Sequence, residues 1–476
     1  MQPSVFNVQV PLPERNEVFL MNTFSDAQLL VSPDVTGLLD RIKNGQSTFE
    51  GDERETVESL VENGFIVGSR DDEQQALKKY FTEMREDTDQ LRVTVLTTLQ
   101  CNFACDYCFQ GDHGDYNKFA AKMTMEQADG VARWIENRLD EVKPEKFVLT
   151  FFGGEPLLNL PVMYYLAERC AALTEKRGVR QLINIITNGL LLTREVVDRL
   201  NPYGLNGIKI TLDGDRDTHN RMRPLRGKQG TFDRIIENVR QVADFVPITI
   251  GGNFDESSVD SYPDLLDFLK EQEFSDKIAK INFKPIIKAP EPAAPKGVIP
   301  LMVVTGDNKP LAGTCMTSAG AGKLSGGSSI CDSCHFVDEK MAYLRDETRK
   351  RGFPTPDGVH MGPCEIHRRH AHTIGPDGSL YACPGFTGSP EESTGHVDGR
   401  EEAWRQAVAE RFETLLSPHK EECGDCSYIP VCGGGCSVAA HTESRDMHAP
   451  NCHKGAFELA VAGLAQRTAA SSESVV

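Results

Sequence analysis

Between residues 91 and 290 the sequence alternates strand-like and helix-like segments six times, and this alternation limits the fold more than any other feature. Candidate strands are VTVLTT (93–98), FVLTFF (147–152), INIIT (183–187), GIKITL (207–212), ITIGG (248–252) and KINFKPI (280–286). Amphipathic stretches such as MEQADGVARWIENRL and TFDRIIENVRQVADF separate them. Strand–helix repetition implies a parallel sheet joined by right-handed crossovers. A closed barrel needs eight such units. The expected class is therefore α/β, with an open or partial (β/α)6 barrel at its centre. In such barrels the chemistry gathers at the C-terminal strand ends.

The unusual loops obey that rule. CNFACDYC follows strand one, GGEP (153–156) follows strand two, TNG (187–189) closes strand three, and LDGDRDTHNRMRP (212–224) follows strand four. In the first loop Cys101, Cys105 and Cys108 stand with gaps of three and two residues. A closed structural zinc site wants four protein ligands, and a [4Fe-4S] cluster usually takes four thiolates. Three thiols on one loop leave one iron without a protein ligand, open to a small chelating molecule. S-adenosylmethionine offers such a chelate through its amino nitrogen and carboxylate oxygen. The alternative is a partial zinc site completed by a histidine such as His113.

The bulk numbers exclude some classes. A net charge of −19 argues against general nucleic-acid binding through phosphates. No apolar run reaches the length of a membrane span, and the N-terminus lacks a charged region followed by an apolar one. A cytoplasmic protein is expected, without membrane or nucleic-acid partners. Fourteen cysteines in such a chain are better read as metal ligands than as disulfides. Cys170 sits mid-helix among apolar neighbours and reads as a core thiol.

CNFACDYC resembles the CxxxCxxC signature of radical S-adenosylmethionine enzymes, with Tyr107 before the last cysteine. The resemblance implies a cluster on Cys101, Cys105 and Cys108, and Tyr107 packed near the adenine of the cofactor. GGEP resembles the family's cofactor motif, which contacts the bound amino group; Gly153, Gly154 and Glu155 are carried over on that basis. Glycines permit close backbone approach, and a glutamate accepts hydrogen bonds from an ammonium. Asn188, with Thr211 or Asp213, stands at the ends of strands three and four. These residues are candidates for the ribose or carboxylate end of the cofactor, or simply turn formers. Arg221 and Arg223 are candidates for holding a carboxylate or the substrate backbone, or solvated surface residues.

A second array follows: Cys364, Cys383, Cys423, Cys426, Cys432, Cys436 and Cys452. Its spacing resembles the seven-cysteine SPASM extension of some radical enzymes. That resemblance implies two auxiliary iron-sulfur clusters. Cys423, Cys426, Cys432 and Cys452 would hold the distal one, and Cys364, Cys383 and Cys436 the nearer one. The nearer site then lacks a fourth thiolate; Cys315, Cys331 or Cys334 can supply it, or it stays open.

The expected divisions are residues 1–90, 91–290 for the barrel, 291–345 as a linker or lid, and 346–476 for the auxiliary clusters. Residues 1–90 read as two or three strands with about three helices, winged-helix-like. They are either a cap on the next domain or, by resemblance in size and element order, an element that recognises a peptide at its sheet edge. SPASM-bearing relatives mostly modify peptides or proteins. The resemblance thus implies a maturase that abstracts hydrogen through a 5′-deoxyadenosyl radical, supplied by an external one-electron reductant. Its substrate would be a precursor peptide or protein, and its product a crosslink or an oxidised residue. Formylglycine formation in sulfatases is the first alternative. There the family places an aspartate directly after the second SPASM cysteine, and this chain has Pro384. A non-catalytic metal-binding scaffold is the second.

Overall fold

The computed structural model describes residues 1–110, 120–287, 332–360, 362–389, 392–400, 406, 423–444 and 446–473. The chain opens with β1 (Gln2–Pro3), β2 (Asn7–Leu12), β3 (Glu17–Asn22) and β4 (Gln28–Val31). The helices Pro33–Lys43 and Asp52–Glu62 follow, then β5 (Ile66–Val67), which pairs antiparallel with β1, and the helix Arg70–Glu86. β2, β3 and β4 form an antiparallel sheet in that order. Alternation along β3 sends Leu20 toward the two helices and Phe19 and Met21 to the other face. That second face packs on Val359, Tyr428 and the helix Lys454–Glu473. The antiparallel sheet of residues 1–90 thus packs against the C-terminal region. The sheet has two hydrophobic faces to bury, and only helices on both sides satisfy them.

The barrel strands are β6 (Gln90–Leu96), β7 (Lys146–Phe152), β8 (Arg180–Thr187), β9 (Leu205–Thr211), β10 (Ile248–Phe254) and β11 (Ile278–Pro285). All five pairings between successive strands are parallel. Phe147, Leu149 and Phe151 alternate outward along β7 and are buried in the main core. The helix Met125–Val142 covers them with Val131, Ile135 and Leu139. Thr124 starts that helix with a capping box to Gln127, which satisfies two otherwise orphaned amides. Each strand matches the segment read from the sequence within a few residues. The (β/α)6 architecture of the expected α/β class is present.

The sheet does not stop at six strands. β12 (Ala371–Ile374) pairs in parallel with β6, and β13 (Ser379–Tyr381) and β14 (Gly395–His396) continue antiparallel beyond it. A strand from the cysteine-rich region therefore closes the free edge of the strand that leads into Cys101. The helix Asp332–Lys350 packs on β11 and on Lys454–Glu473, crossing the boundary expected between residues 345 and 346. Among the described residues no helix is long and apolar enough to cross a membrane.

Candidate active site

The loop carrying Cys101, Cys105 and Cys108 is gripped from two sides. On one side the GGEP turn donates Gly154 N to Thr98 O (2.9 Å) and Glu155 N to Gln100 O (2.8 Å). A Cβ on Gly154 would stand 2.5 Å from Leu99 O, and one on Gly153, at φ +142, would collide with Thr98 O. The two glycines are required by this backbone crossing, as much as by any ligand. On the other side Ala104 N donates to Pro224 O (2.9 Å) and Arg226 N to Asn102 O (3.2 Å), with a bridge between Phe103 and Leu225. Arg226 Nε adds a bond to Cys101 O (3.0 Å). Cys101 and Cys105 are half-buried and Cys108 is exposed. Burial, then the charge of Glu155, pushes the Cys101 thiol up to about 12. Burial also raises Cys105, against the nearby Arg223. Iron ligation must therefore displace protons at these thiols.

Glu155 is fully buried. Its carboxylate accepts from Leu157 N (3.0 Å), Thr187 Oγ1 (2.7 Å) and Asn188 N (2.8 Å). Burial raises its carboxyl and these donors oppose the rise. The side chain braces the end of β7 against the end of β8. Asn188 in turn donates Nδ2 to Asn102 Oδ1 (2.7 Å) and lies 3.9 Å from Cys101 Sγ. The GGEP and TNG loops and the cysteine loop thus meet, as the strand-end rule predicts.

Asp213, also fully buried, is the hub of a second network. It accepts from the Tyr107 hydroxyl, from Asn253 N (2.6 Å) and from Arg223 Nη1 (3.3 Å), while Arg223 also donates to Tyr107. Burial raises the Tyr107 phenol, so it remains a donor. The backbone of Asp213 donates to His219 Nδ1 (3.2 Å), an imidazole held well below its usual value by burial. Of the two arginines, Arg223 enters the site and Arg221 is exposed. Thr211 closes β9 beside Gly251 of β10. The expected strand ITIGG ends at Gly252, whereas β10 runs on through Asn253 to Phe254. A polar residue continuing the alternation of ITIGG was the available signal.

The later cysteines divide into two groups. Cys432 feels the thiols of Cys426, Cys452 and Cys423, whereas Cys383 feels those of Cys364 and Cys436. Burial pushes Cys432 and Cys383 each up to about 12. Gly435, at φ +86, lets the turn press on Asn451, where a Cβ would collide with the carbonyl. Asn451 N bonds Gly434 O (3.1 Å), which brings Cys452 to the turn that follows Cys432. Among the described residues no three His, Cys, Asp or Glu side chains converge as a single metal ion requires; a four-iron cluster spreads its thiolates wider. The donor set is all sulfur, which suits iron-sulfur clusters. His113, Cys315 and Cys331 fall outside the described residues, as does the Cys334 side chain. Cys170 is buried in the core, as expected.

The fold and site thus come down to a parallel (β/α)6 sheet with three thiols at the mouth of its first strand. Residues 95–269 match the Radical SAM superfamily, and the chain carries a radical SAM domain whose cofactors are a [4Fe-4S] cluster and S-adenosylmethionine. A SPASM-type cysteine array stands behind it. Fe-coproporphyrin III synthase of Methanosarcina barkeri is 28% identical over 196 residues, covering 40% of this chain and 43% of that protein. The cysteine-type anaerobic sulfatase-maturating enzyme of Clostridium novyi is 22% identical over 349 residues, covering 71% of this chain and 84% of that protein. The chain spans less than half the length of the first curated relatives it matches. A solved structure of native anSMEcpe with bound AdoMet and Cp18Cys peptide shares the fold, with TM-score 0.56 and 16% identity, covering 81% of this chain and 99% of that one.

Proposed function

We propose that this protein is a maturase that removes hydrogen from a residue of a ribosomally made peptide and leaves a crosslink or an oxidised residue. The observation that carries this reading is the single sheet joining two kinds of cysteine site. β6 leads into Cys101, Cys105 and Cys108, while β12, paired to β6, leads toward Cys383. When bound, the first cluster and S-adenosylmethionine supply a 5′-deoxyadenosyl radical. Cys101, Cys105 and Cys108 hold that cluster, with an external one-electron reductant delivering the electron. Gly153, Gly154 and Asn188 fix the loop that orients the cofactor, and Glu155 positions them. Tyr107, Arg223 and Asp213 close the adjoining wall of the site, with Thr211 at its edge.

Substrate class follows from three supports. The Clostridium novyi relative is named as maturing sulfatases, and anSMEcpe is described with a bound peptide. The third is β4, which among the described residues has a partner on one side only; a peptide can add there as a strand. Two groups of later cysteines would hold auxiliary clusters that take up the electron left after hydrogen removal. Sulfatase-type oxidation is the second reading, favoured by the Clostridium relative. Against it, Pro384 occupies the position where that branch carries its aspartate, and proline has no group that accepts a proton.

Anaerobic reconstitution with iron and sulfide, followed by an assay for 5′-deoxyadenosine, tests the enzyme reading. Product is expected with dithionite and S-adenosylmethionine; a cluster-loaded protein that forms none overturns it. Mass spectrometry of a small peptide encoded beside the gene then decides the class. Loss of two hydrogens supports peptide maturation, and conversion of a sulfatase cysteine to formylglycine supports the alternative.

A further inference from the structure

Inside the barrel, Lys209 of β9 and Lys280 and Lys284 of β11 face the lumen. The alternation settles this: Ile208 and Ile210 on β9, and Ile281 and Phe283 on β11, are buried against the helices. The residues between them point the other way. Register places Lys209, Thr249 and Lys280 in one row across β9, β10 and β11, and Asn253 with Lys284 two rows nearer the C-terminal ends. Lys209 leans across β10. A Cβ on Gly251 would lie 2.5 Å from Lys209 Cε and 3.3 Å from its Nζ. Its ammonium therefore rises into the row of Gly251 and Asn282, between the rows of Lys280 and Lys284.

Burial, then the charges of Lys284 and Lys280, brings Lys209 down to about 8. None of the three lysines makes an ion pair with a carboxylate among the described residues, in a chain whose net charge is −19. Lys209, largely withdrawn from water and without a counter-charge, is repelled by the exposed ammonium groups of Lys280 and Lys284 beside it. An incoming anion relieves both costs. Lys284, nearest the C-terminal strand ends, also lies within electrostatic reach of Cys364 and Cys383.

We propose that Lys209, Lys280 and Lys284 form a subsite for a carboxylate of the peptide substrate, holding it in the lumen between the radical site and the nearer auxiliary site. This rests on the maturase reading. The carboxylate comes from an acidic side chain or from the peptide's C-terminus, and both present the same chemistry to the lysines.

Binding of short fluorescent peptides to the reconstituted full chain, with S-adenosylmethionine saturating, tests it. A Glu peptide and its Gln counterpart, both amidated, isolate the side chain; the Gln peptide with a free C-terminus isolates the chain end. One of the two carboxylate peptides is expected to bind roughly tenfold more tightly than the neutral one, with a preference that weakens in salt. Lys209→Met and Lys284→Met should each erase it. Lys284 is exposed, so that variant stays informative if the buried change impairs folding. Equal binding of all three peptides, or a preference that survives both variants, overturns the subsite. So do variants that shift only the spectrum of the nearer cluster. Formation of 5′-deoxyadenosine by the unsubstituted protein is measured in parallel. Its absence strikes the maturase reading, whereas its presence without carboxylate preference strikes the subsite alone.

Discussion

Cys101, Cys105 and Cys108 sit on a loop held by backbone hydrogen bonds from two neighbouring loops, all belonging to one barrel. The distal group, Cys423, Cys426, Cys432 and Cys452, is held largely by side chains from the far end of the chain. Arg70 Nη2 donates to Gly424 O (2.8 Å), and Thr23 Oγ1 donates to Ser427 O. Phe6, Leu77 and Phe81 pack with Ile429 against Cys423 and Cys426. Backbone clamping fixes a shape locally and leaves side chains free to serve a ligand. Side-chain docking makes the distal site depend on whether residues 1–90 are in place. The first arrangement suits a site that must present an open iron; the second suits one whose ligands close around a cluster.

The widest separation between the two regions is expected from cysteine replacement. Each cluster accounts for about four irons, so the intact protein should hold about twelve per chain. Cys105→Ala and Cys432→Ala should each fall to about eight. Only the first should reduce 5′-deoxyadenosine to background, while the second retains measurable product. If both are silent, the two regions do not work separately. Stability sharpens the contrast next. Gly154→Ala drives a Cβ into backbone carbonyls that cannot swing aside, at a cost of about 3 kcal/mol or more. Arg70→Met removes the bond to Gly424 and one partner of the buried Glu73, which keeps its bond from the Ser4 hydroxyl. Its cost should be about 2 kcal/mol. Thermal melts of the two variants measure the difference; a costlier Arg70→Met would reverse the ranking of local over distant support.

The smallest effect concerns pH. His360 lies between Asp357 and Asp26, at 2.6 Å from Asp26 Oδ1, and so ties the β3–β4 turn to the C-terminal region. Burial lowers its imidazole, but the two carboxylates outweigh burial and the net shift is upward from 6.5. Its contribution is therefore complete below that value and is lost as pH rises through the raised one. Melting temperature should decline modestly across that window in the unsubstituted protein and lose this component in His360→Gln. An unchanged pH slope in the variant would remove the clasp from the account of how residues 1–90 are held.

The six barrel strands were legible because each is a run of β-branched and aromatic residues bounded by an amphipathic helix. The meeting of CNFACDYC, GGEP and TNG was legible because loops after parallel strands share one face. The expected sharing of the later cysteines between two clusters came from the family resemblance alone, because spacing does not say which thiols converge. What stayed hidden depends on contacts that periodicity does not encode. Glu155, read as an acceptor for an ammonium, has its carboxylate occupied by Leu157, Thr187 and Asn188. The Tyr107 hydroxyl is engaged by Asp213 and Arg223, and a ring read for adenine contact thus also carries a polar anchor. Lys209 looks like any solvated lysine until the register sets it over Gly251.

The pairing of β12 with β6 has a consequence for how the protein is made. Arg92 and Ala371 are neighbours across that ladder although they lie about 280 residues apart in the chain. Contacts this distant form late and slowly. During synthesis the first barrel strand must wait, with a bare row of amides and carbonyls, until the cysteine-rich segment leaves the ribosome. A bare edge of that kind invites pairing with another chain. Production truncated before residue 371 should therefore yield aggregates in place of a free-standing radical domain.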